Sequence, residues 1–191
     1  MEIERHPLSP FLPPATRLIM LGSFPPARRR WCMDFFYPNY NNDMWRIFGL
    51  LMHNDKNHFV DVEKKTFRKA DIVDMLTRKR IALYDTATKV RRTKNTAADK
   101  DLEVVEPTDI DALLERIPEC RAIVTTGQKA TDLVCEHFNI SQPKVGSCTD
   151  FTTASQRHLR LYRMPSSSRA YPMKVERKAE FYQTLLQELE L

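Results

Sequence analysis

The segment Leu18-Ile19-Met20-Leu21-Gly22-Ser23-Phe24-Pro25-Pro26 decides the fold, because an apolar strand runs directly into a stiff turn. Gly22 permits a close approach of the backbone, and the two prolines restrict the torsions of the turn. A second segment of this kind, Leu159–Met164 followed by Pro165 and three serines, lies near the carboxyl end of the chain. Two strands that end in such loops predict one cleft at the carboxyl edge of a sheet.

The apolar runs and the helical patterns between them predict an α/β fold. Four runs are typical of strands: Leu18–Leu21, Ile81–Tyr84, Ala122–Thr125 and Leu159–Met164. Helical spacing occupies Met44–Met52, Val60–Arg78, Thr108–Ile117, Gln128–Phe138 and Val175–Leu189, with Asn42 and Thr108 as candidate caps. This alternation predicts a three-layer α/β/α sandwich around a short, mainly parallel, four-stranded sheet, in a single domain of residues 1–191.

Length and composition exclude several classes of protein. A chain of 191 residues with 42% hydrophobic and 29% charged residues is typical of a globular domain rather than of a disordered chain. No apolar run reaches the roughly 20 residues of a membrane span, and the charged N-terminus lacks a signal core, so we expect a cytoplasmic protein. The four cysteines form no close pair, so we expect neither a metal site nor a cofactor. The five histidines form no Cys/His or Ser/His motif, and hydrolase, P-loop and Rossmann motifs are missing.

The net charge is +5, and many of the basic residues lie in the loops that follow the predicted strands. They are Arg28–Arg30 after the first strand, Lys89, Arg91, Arg92 and Lys94 after the second, Lys129 after the third, and Arg169 and Lys174 after the fourth. Ligands of open parallel sheets bind at this edge. The pattern favours a nucleic acid or a nucleotide as the partner, and ordinary solvated loops are the alternative.

Several loop side chains admit two interpretations. Phe24 can stack on a base or fill the core, and the backbone N–H groups of Ser23 and Phe24 can point at a carbonyl oxygen. Asp85 can accept an N–H from a ligand ring, or it can pair with Arg91 or Arg92. The serines Ser166–Ser168 can hold phosphate oxygens or form a polar turn.

The segment from Trp31 to Trp45 is rich in aromatic residues and asparagines. Such rings can stack on an unpaired base next to phosphate, or they can fill the core while Asn42 caps a helix. We expect the core for most of them, and we assign one ring, Tyr37, to the base.

In order and spacing these motifs resemble those of the uracil-DNA glycosylase superfamily, and within it the hypoxanthine-DNA glycosylase branch. The resemblance rests on Gly22-Ser23-Phe24-Pro25, Phe35-Phe36-Tyr37-Pro38, Asn42-Asp43-Met44-Trp45, the segment from Ile81 to Ile110, and Met164-Pro165-Ser166-Ser167-Ser168. Together these segments span about residues 18–172.

The resemblance implies a monofunctional DNA glycosylase of base excision repair. Such an enzyme flips a deaminated base, hypoxanthine or uracil, out of the duplex and hydrolyses its N-glycosidic bond without a cofactor. Asn42 would position the attacking water, because Phe24 occupies the position of the usual Asp or Asn; Asn39 and Asn41 compete for this role. An amide orients water but does not take its proton, so slow turnover is expected.

The remaining roles follow from the same resemblance. The base would be bound by Gly22, Ser23, Phe24, Tyr37 and Asp85. The DNA would be contacted by Arg91, Ser166, Ser168 and Arg169, with Arg169 or Tyr171 filling the place of the flipped base. The expected partner is DNA with a deaminated or mismatched base, and no obligatory protein partner is inferred.

Two other functions compete with a glycosylase. A non-catalytic nucleic-acid-binding protein could keep the fold and the basic loops, and Phe24 in place of the first-motif Asp or Asn favours it. An enzyme that acts on free nucleotides is the third possibility, and strongly salt-dependent DNA binding would count against it.

Overall fold

A computed structural model describes residues 2–94, 96 and 98–191. Its central sheet contains β2 (Leu18–Gly22), β5 (Ile81–Asp85), β8 (Ala122–Thr126), β9 (Cys148–Thr152) and β10 (His158–Met164). The order is β5-β2-β8-β10-β9, and all neighbours are parallel except β9, which runs antiparallel to β10 at the edge. The predicted mainly parallel sheet is confirmed.

In the part of the chain that the structure describes, the sheet has five strands rather than the predicted four. The strand β9 was not predicted because its sequence, Cys-Thr-Asp-Phe-Thr, is mostly polar. Only Phe151 of this strand is buried, as is usual at the exposed edge of a sheet.

Within the described residues, five α-helices flank the sheet. They are α1 (Met44–His53), α2 (Lys69–Lys79), α3 (Ile110–Glu115), α4 (Gln128–Phe138) and α5 (Val175–Glu188). The helices α1 and α5 pack on each other, and the buried rings of Trp45, Phe48 and Tyr182 fill the core between them and the sheet. No helix within the described part of the chain is long and apolar enough to cross a membrane.

Two helix starts differ from the sequence prediction. The helix α2 begins at Lys69 rather than near Val60, because a short hairpin of β3 (Val60–Asp61) and β4 (Thr66–Phe67) precedes it. The cap of α3 is Asp109, whose Oδ1 accepts the N–H of Ala112 at 3.0 Å. The predicted cap, Thr108, instead donates its hydroxyl to the backbone oxygen of Asp85 at 2.6 Å.

A second, antiparallel sheet was not predicted. It contains β1 (Ile3–Arg5), β6 (Ala87–Arg92) and β7 (Leu102–Pro107) in the order β1-β6-β7. These strands are polar and half-exposed, so hydrophobic periodicity does not reveal them. The sheet carries the N-terminal segment to the end of β5, and this contact shapes the site described next.

Candidate active site

One cleft lies at the carboxyl ends of the parallel strands. The last residues of β2, β5 and β8, which are Gly22, Asp85 and Thr126, line it together with Ser166–Ser168 after β10. The cleft brings together these sequence-predicted residues: Gly22, Ser23, Phe24, Tyr37, Asn42, Asp85, Ser166 and Ser168. Arg91 and Arg169 are not part of the lining.

Backbone geometry holds the corner between β2 and β5. Gly22 is paired with Asp85, and the oxygen of Gly22 accepts the N–H and the hydroxyl of Thr86 at 2.9 and 3.0 Å. A Cβ atom on Gly22 would lie 2.6 Å from Oδ1 of Asp85. Only glycine fits there without moving the carboxylate.

Asp85 is paired with a residue that the sequence did not point to. Its Oδ2 lies 2.7 Å from Nε2 of His6, and both side chains are almost fully buried. The predicted alternative, a pair with Arg91 or Arg92, is wrong. Arg91 bonds Glu103 through both carboxylate oxygens at 3.0 and 2.9 Å, and Arg92 bonds Glu4 at 2.8 Å.

A second carboxylate, Asp99, lines the cleft. Its Oδ1 accepts the hydroxyl of Ser23 at 2.7 Å. Burial raises the pKa of Asp99, and the negative charge of Asp85 adds to this shift. Asp85 and Asp99 together form what we call the acidic wall. Asp99 was missed because its short 3-10 turn, Asp99–Asp101, lies in a polar loop without periodicity.

Tyr37 stands beside the acidic wall with its hydroxyl 3.1 Å from that of Thr126. Burial raises the pKa of Tyr37 far above its ordinary value, and the charges of Asp85 and Asp99 act in the same direction. The phenol is therefore neutral at physiological pH and can donate or accept a hydrogen bond.

Phe24 both packs in a core and lines the cleft, the two roles that the sequence left open. The side chain is 8% exposed and packs with Ala87, Val90 and Leu102 in a small core of its own. It also lines the cleft, and its ring meets the ring of His6 edge to face at 5.2 Å.

The three candidate asparagines lie in different positions. Asn42 lines the cleft, and its Oδ1 accepts the N–H of Met44, the first residue of α1, at 2.9 Å. The N-cap of α1 is Asp43 rather than the predicted Asn42. Asn39 lines the cleft too, with Oδ1 bound to the N–H of Asn41 at 3.0 Å. Asn41 is exposed, lies outside the lining, and accepts a bond from Arg169 at 3.4 Å.

A buried lysine connects the Asn42 segment to the serine loop. Nζ of Lys178 on α5 donates to Oδ2 of Asp43 at 3.0 Å and to the oxygen of Ser168 at 2.8 Å. The N–H of Asp43 donates to the oxygen of Ser167 at 2.9 Å, and Asn42 forms a bridge with Ser168. These contacts set the distance between the two loops. The sequence offered no sign of them, because a lysine in an amphipathic helix is ordinarily exposed.

The arginines around the cleft fall into two groups. Those of β6 are neutralised by the glutamates described above. Arg28–Arg30 and Arg169, which we call the basic rim, are exposed and follow the lining residues Pro26 and Ser168 closely in the chain. Within this rim Arg28 pairs with Asp34 at 3.0 Å, and Nε of Arg169 lies 3.6 Å from Asp43.

The arrangement combines an acceptor-rich interior with a cationic entrance. Buried carboxylates, a neutral phenol and an aromatic side chain suit a flat ring that offers N–H groups. Hydroxyls, backbone N–H groups and arginines at the entrance suit phosphate oxygens.

Comparison with known proteins supports the fold. No protein-family profile and no curated protein matches the sequence. Among solved structures, the chain is similar to the solution NMR structure of a candidate uracil DNA glycosylase from Methanosarcina acetivorans, with a TM-score of 0.64, 23% identity and full coverage of both chains. The fold is therefore that of uracil-DNA-glycosylase-like proteins.

Proposed function

We propose that this protein is a monofunctional DNA glycosylase that removes a deaminated base from DNA. The observation that carries the proposal is the meeting of Phe24, Asn42, Asp85 and Ser166 around one cleft at the carboxyl edge of the sheet. The uracil-DNA-glycosylase-like fold and the similarity to the Methanosarcina acetivorans protein support it.

The acidic wall favours hypoxanthine over uracil as the base. The carboxylate of Asp85 accepts an N–H and repels a neighbouring carbonyl oxygen. The N1–H of hypoxanthine is flanked by one carbonyl, whereas the N3–H of uracil is flanked by two. The buried side chain of Phe24 offers a surface against which the ring can pack.

Asn42 is the proposed residue that positions the attacking water. A carbonyl oxygen has two lone pairs, and the N–H of Met44 takes one of them on Oδ1, so the other can accept from water. The N-glycosidic bond breaks with its electron pair departing on the base, which leaves an oxocarbenium-like sugar. The oriented water then adds to the anomeric carbon, and its proton passes to the departing base. The amide cannot accept the proton, so we expect slow turnover.

The proposed DNA contacts lie at the entrance. Ser166 and Ser168 would hold phosphate oxygens, and Arg169 would enter the space left by the flipped base. Arg169 is suited to this because it is exposed and its contacts with Asn41 and Asp43 are long, at 3.4 and 3.6 Å. Arg91 is less suited, because its guanidinium already binds Glu103.

A panel of end-labelled duplexes tests the proposal. Each carries one uracil, hypoxanthine, xanthine or mismatched thymine, and alkali after incubation converts abasic sites into strand breaks. We expect breaks at a deaminated base, with hypoxanthine cut faster than uracil. Undamaged duplex serves as the control, and no break at any of the four bases would contradict the proposal.

A non-catalytic DNA-binding protein is the second candidate. The hydrogen bond from the N–H of Met44 to Oδ1 of Asn42 favours it, since this bond gives the asparagine a structural role without any chemistry. Binding to damaged duplexes without any alkali-labile break would support this candidate, whereas breaks would exclude it. Binding that is insensitive to salt would disfavour both and favour a free nucleotide as the ligand.

A further inference from the structure

The contact between His6 and Asp85 joins parts of the chain that are far apart in sequence. His6 follows β1, which pairs with β6, and its N–H donates to the oxygen of Thr88 at 2.8 Å. This pairing inserts the imidazole behind the cleft, where the side chain is 3% exposed. Nε2 then lies 2.7 Å from Oδ2 of Asp85.

Packing leaves the imidazole little freedom to move. Its ring lies 4.8 Å from that of Tyr84, 5.2 Å from that of Phe24 and 6.2 Å from that of Phe36. Nδ1 is bound to the backbone of Leu8, 3.1 Å from its N and 3.0 Å from its O. The ring is therefore held from several sides, and it in turn holds the carboxylate.

The direction of the bond to Asp85 is the same in two protonation states. In the neutral ring with a proton on Nε2, Nδ1 accepts the N–H of Leu8 and Nε2–H donates to Asp85. In the imidazolium, Nδ1–H donates to the oxygen of Leu8 and Nε2–H again donates to Asp85. Oδ2 of Asp85 is engaged either way, while Oδ1 lies against Gly22, and both Gly22 and Asp85 line the cleft.

We propose that His6 is a positioning residue that binds Oδ2 of Asp85 and so presents Oδ1 as a single, fixed acceptor for the base. This inference rests on the proposed function and adds a residue to it. The orientation of the carboxylate matters because a misplacement of about 1 Å can cost about 10²-fold in rate. The N-terminal segment is thus a working part of the site rather than an appendage.

Two substitutions separate positioning from packing. His6→Phe keeps a ring among Phe24, Phe36 and Tyr84 but removes the donor. His6→Gln restores an N–H near the position of Nε2. The matched control is His137→Phe, because His137 also bonds a carboxylate, Asp111 at 2.8 Å, but it lies on α4 outside the cleft lining.

The experiment is a double-mutant cycle with Asp85→Asn, read by single-turnover excision of the preferred base. We expect His6→Phe to lower the rate about 10- to 100-fold, with His6→Gln within about threefold of wild type. In the Asp85→Asn background, His6→Phe should cost no more than about twofold, because the group that it positions is gone. His137→Phe should behave as wild type.

Two results would overturn the inference. One is an equal loss from His6→Phe in both backgrounds, which indicates packing alone, and the other is a His6→Gln variant as impaired as His6→Phe. If the wild type releases no base, the proposed function fails, and the cycle is then read from the Kd of duplexes with an uncleavable 2′-fluoro deoxyinosine. If His6→Phe changes that Kd equally in the wild-type and Asp85→Asn backgrounds, or if no variant binds, the inference is also overturned.

Discussion

The acidic wall and the basic rim of the cleft differ in how their charges are held. Asp85 is buried and Asp99 is half-buried, and each has a specific donor, His6 at 2.7 Å and Ser23 at 2.7 Å. The rim arginines are exposed, and the contacts of Arg169 are long. A buried, bonded charge can distinguish one base edge from another, whereas an exposed charge attracts any phosphate backbone. Under the proposed function, the wall would supply selectivity for the base and the rim affinity for DNA.

The largest expected effect falls on Asn42, which lines the cleft together with Asp85 and Asp99. Asn42→Ala should lower single-turnover excision about 10²- to 10⁴-fold, because the water loses its orienting acceptor. The Kd for DNA should stay within about threefold. The matched control, Asn39→Ala, should retain most of the activity. If Asn39→Ala is inactive and Asn42→Ala is active, Asn39 rather than Asn42 positions the water.

The contact between the Asn42 segment and the serine loop, next to the rim residue Arg169, depends on Lys178. Lys178→Met should lower the free energy of unfolding by about 3–5 kcal/mol, because it leaves the buried carboxylate of Asp43 without its closest partner. Urea denaturation measures this, with Lys174→Met on the exposed side of the same region as the control. A loss below about 1 kcal/mol would mean that Arg169 alone satisfies Asp43.

A comparison of the rim residue Arg169 with Arg91 of β6 tests which arginines contact DNA. Arg169→Ala should weaken DNA binding several-fold and reduce the slope of log K against log salt by about 1, because a phosphate contact is lost. Arg91→Ala should leave the slope nearly unchanged, since Glu103 already neutralises this guanidinium. Equal changes in the two variants would mean that the ion pair opens when DNA binds.

The smallest effect concerns Asp99 and its dependence on pH. Because burial raises the pKa of Asp99 in the folded state, the folded protein holds that proton more tightly than the unfolded chain does. Ionisation of Asp99 therefore lowers the free energy of unfolding as the pH rises above the ordinary pKa of the group, 3.8. Asp99→Asn should raise the Tm at neutral pH, and the gain should shrink towards pH 4. A gain that is independent of pH would refute this explanation.

Local sequence patterns predicted the sheet and one side of the site. Apolar runs ending in Gly22 and Asp85 mark strand ends, and the carboxyl ends of parallel strands must meet at one edge. For that reason the positions of Gly22, Ser23, Phe24, Asp85 and Ser166 directly after predicted strands were enough to assign them to one cleft. The helices α1, α4 and α5 were predicted closely because their apolar residues recur at helical spacing.

Contacts between distant segments could not be predicted from the sequence. The polar strands β1, β6 and β7 carry no periodic signal, so the sequence did not reveal that β1 places His6 behind Asp85 or that Arg91 faces Glu103. Asp99 and Lys178 look like surface residues in sequence, but packing leaves Asp99 half-buried and Lys178 fully buried.

The sequence by itself determined the alternation of strands and helices, and therefore the edge of the sheet at which the cleft lies. The tertiary structure decided which charges are buried at that edge, which partner holds each of them, and which arginines are neutralised. The physical reason is that burial and pairing depend on residues brought together from distant parts of the chain, whereas periodicity depends only on near neighbours.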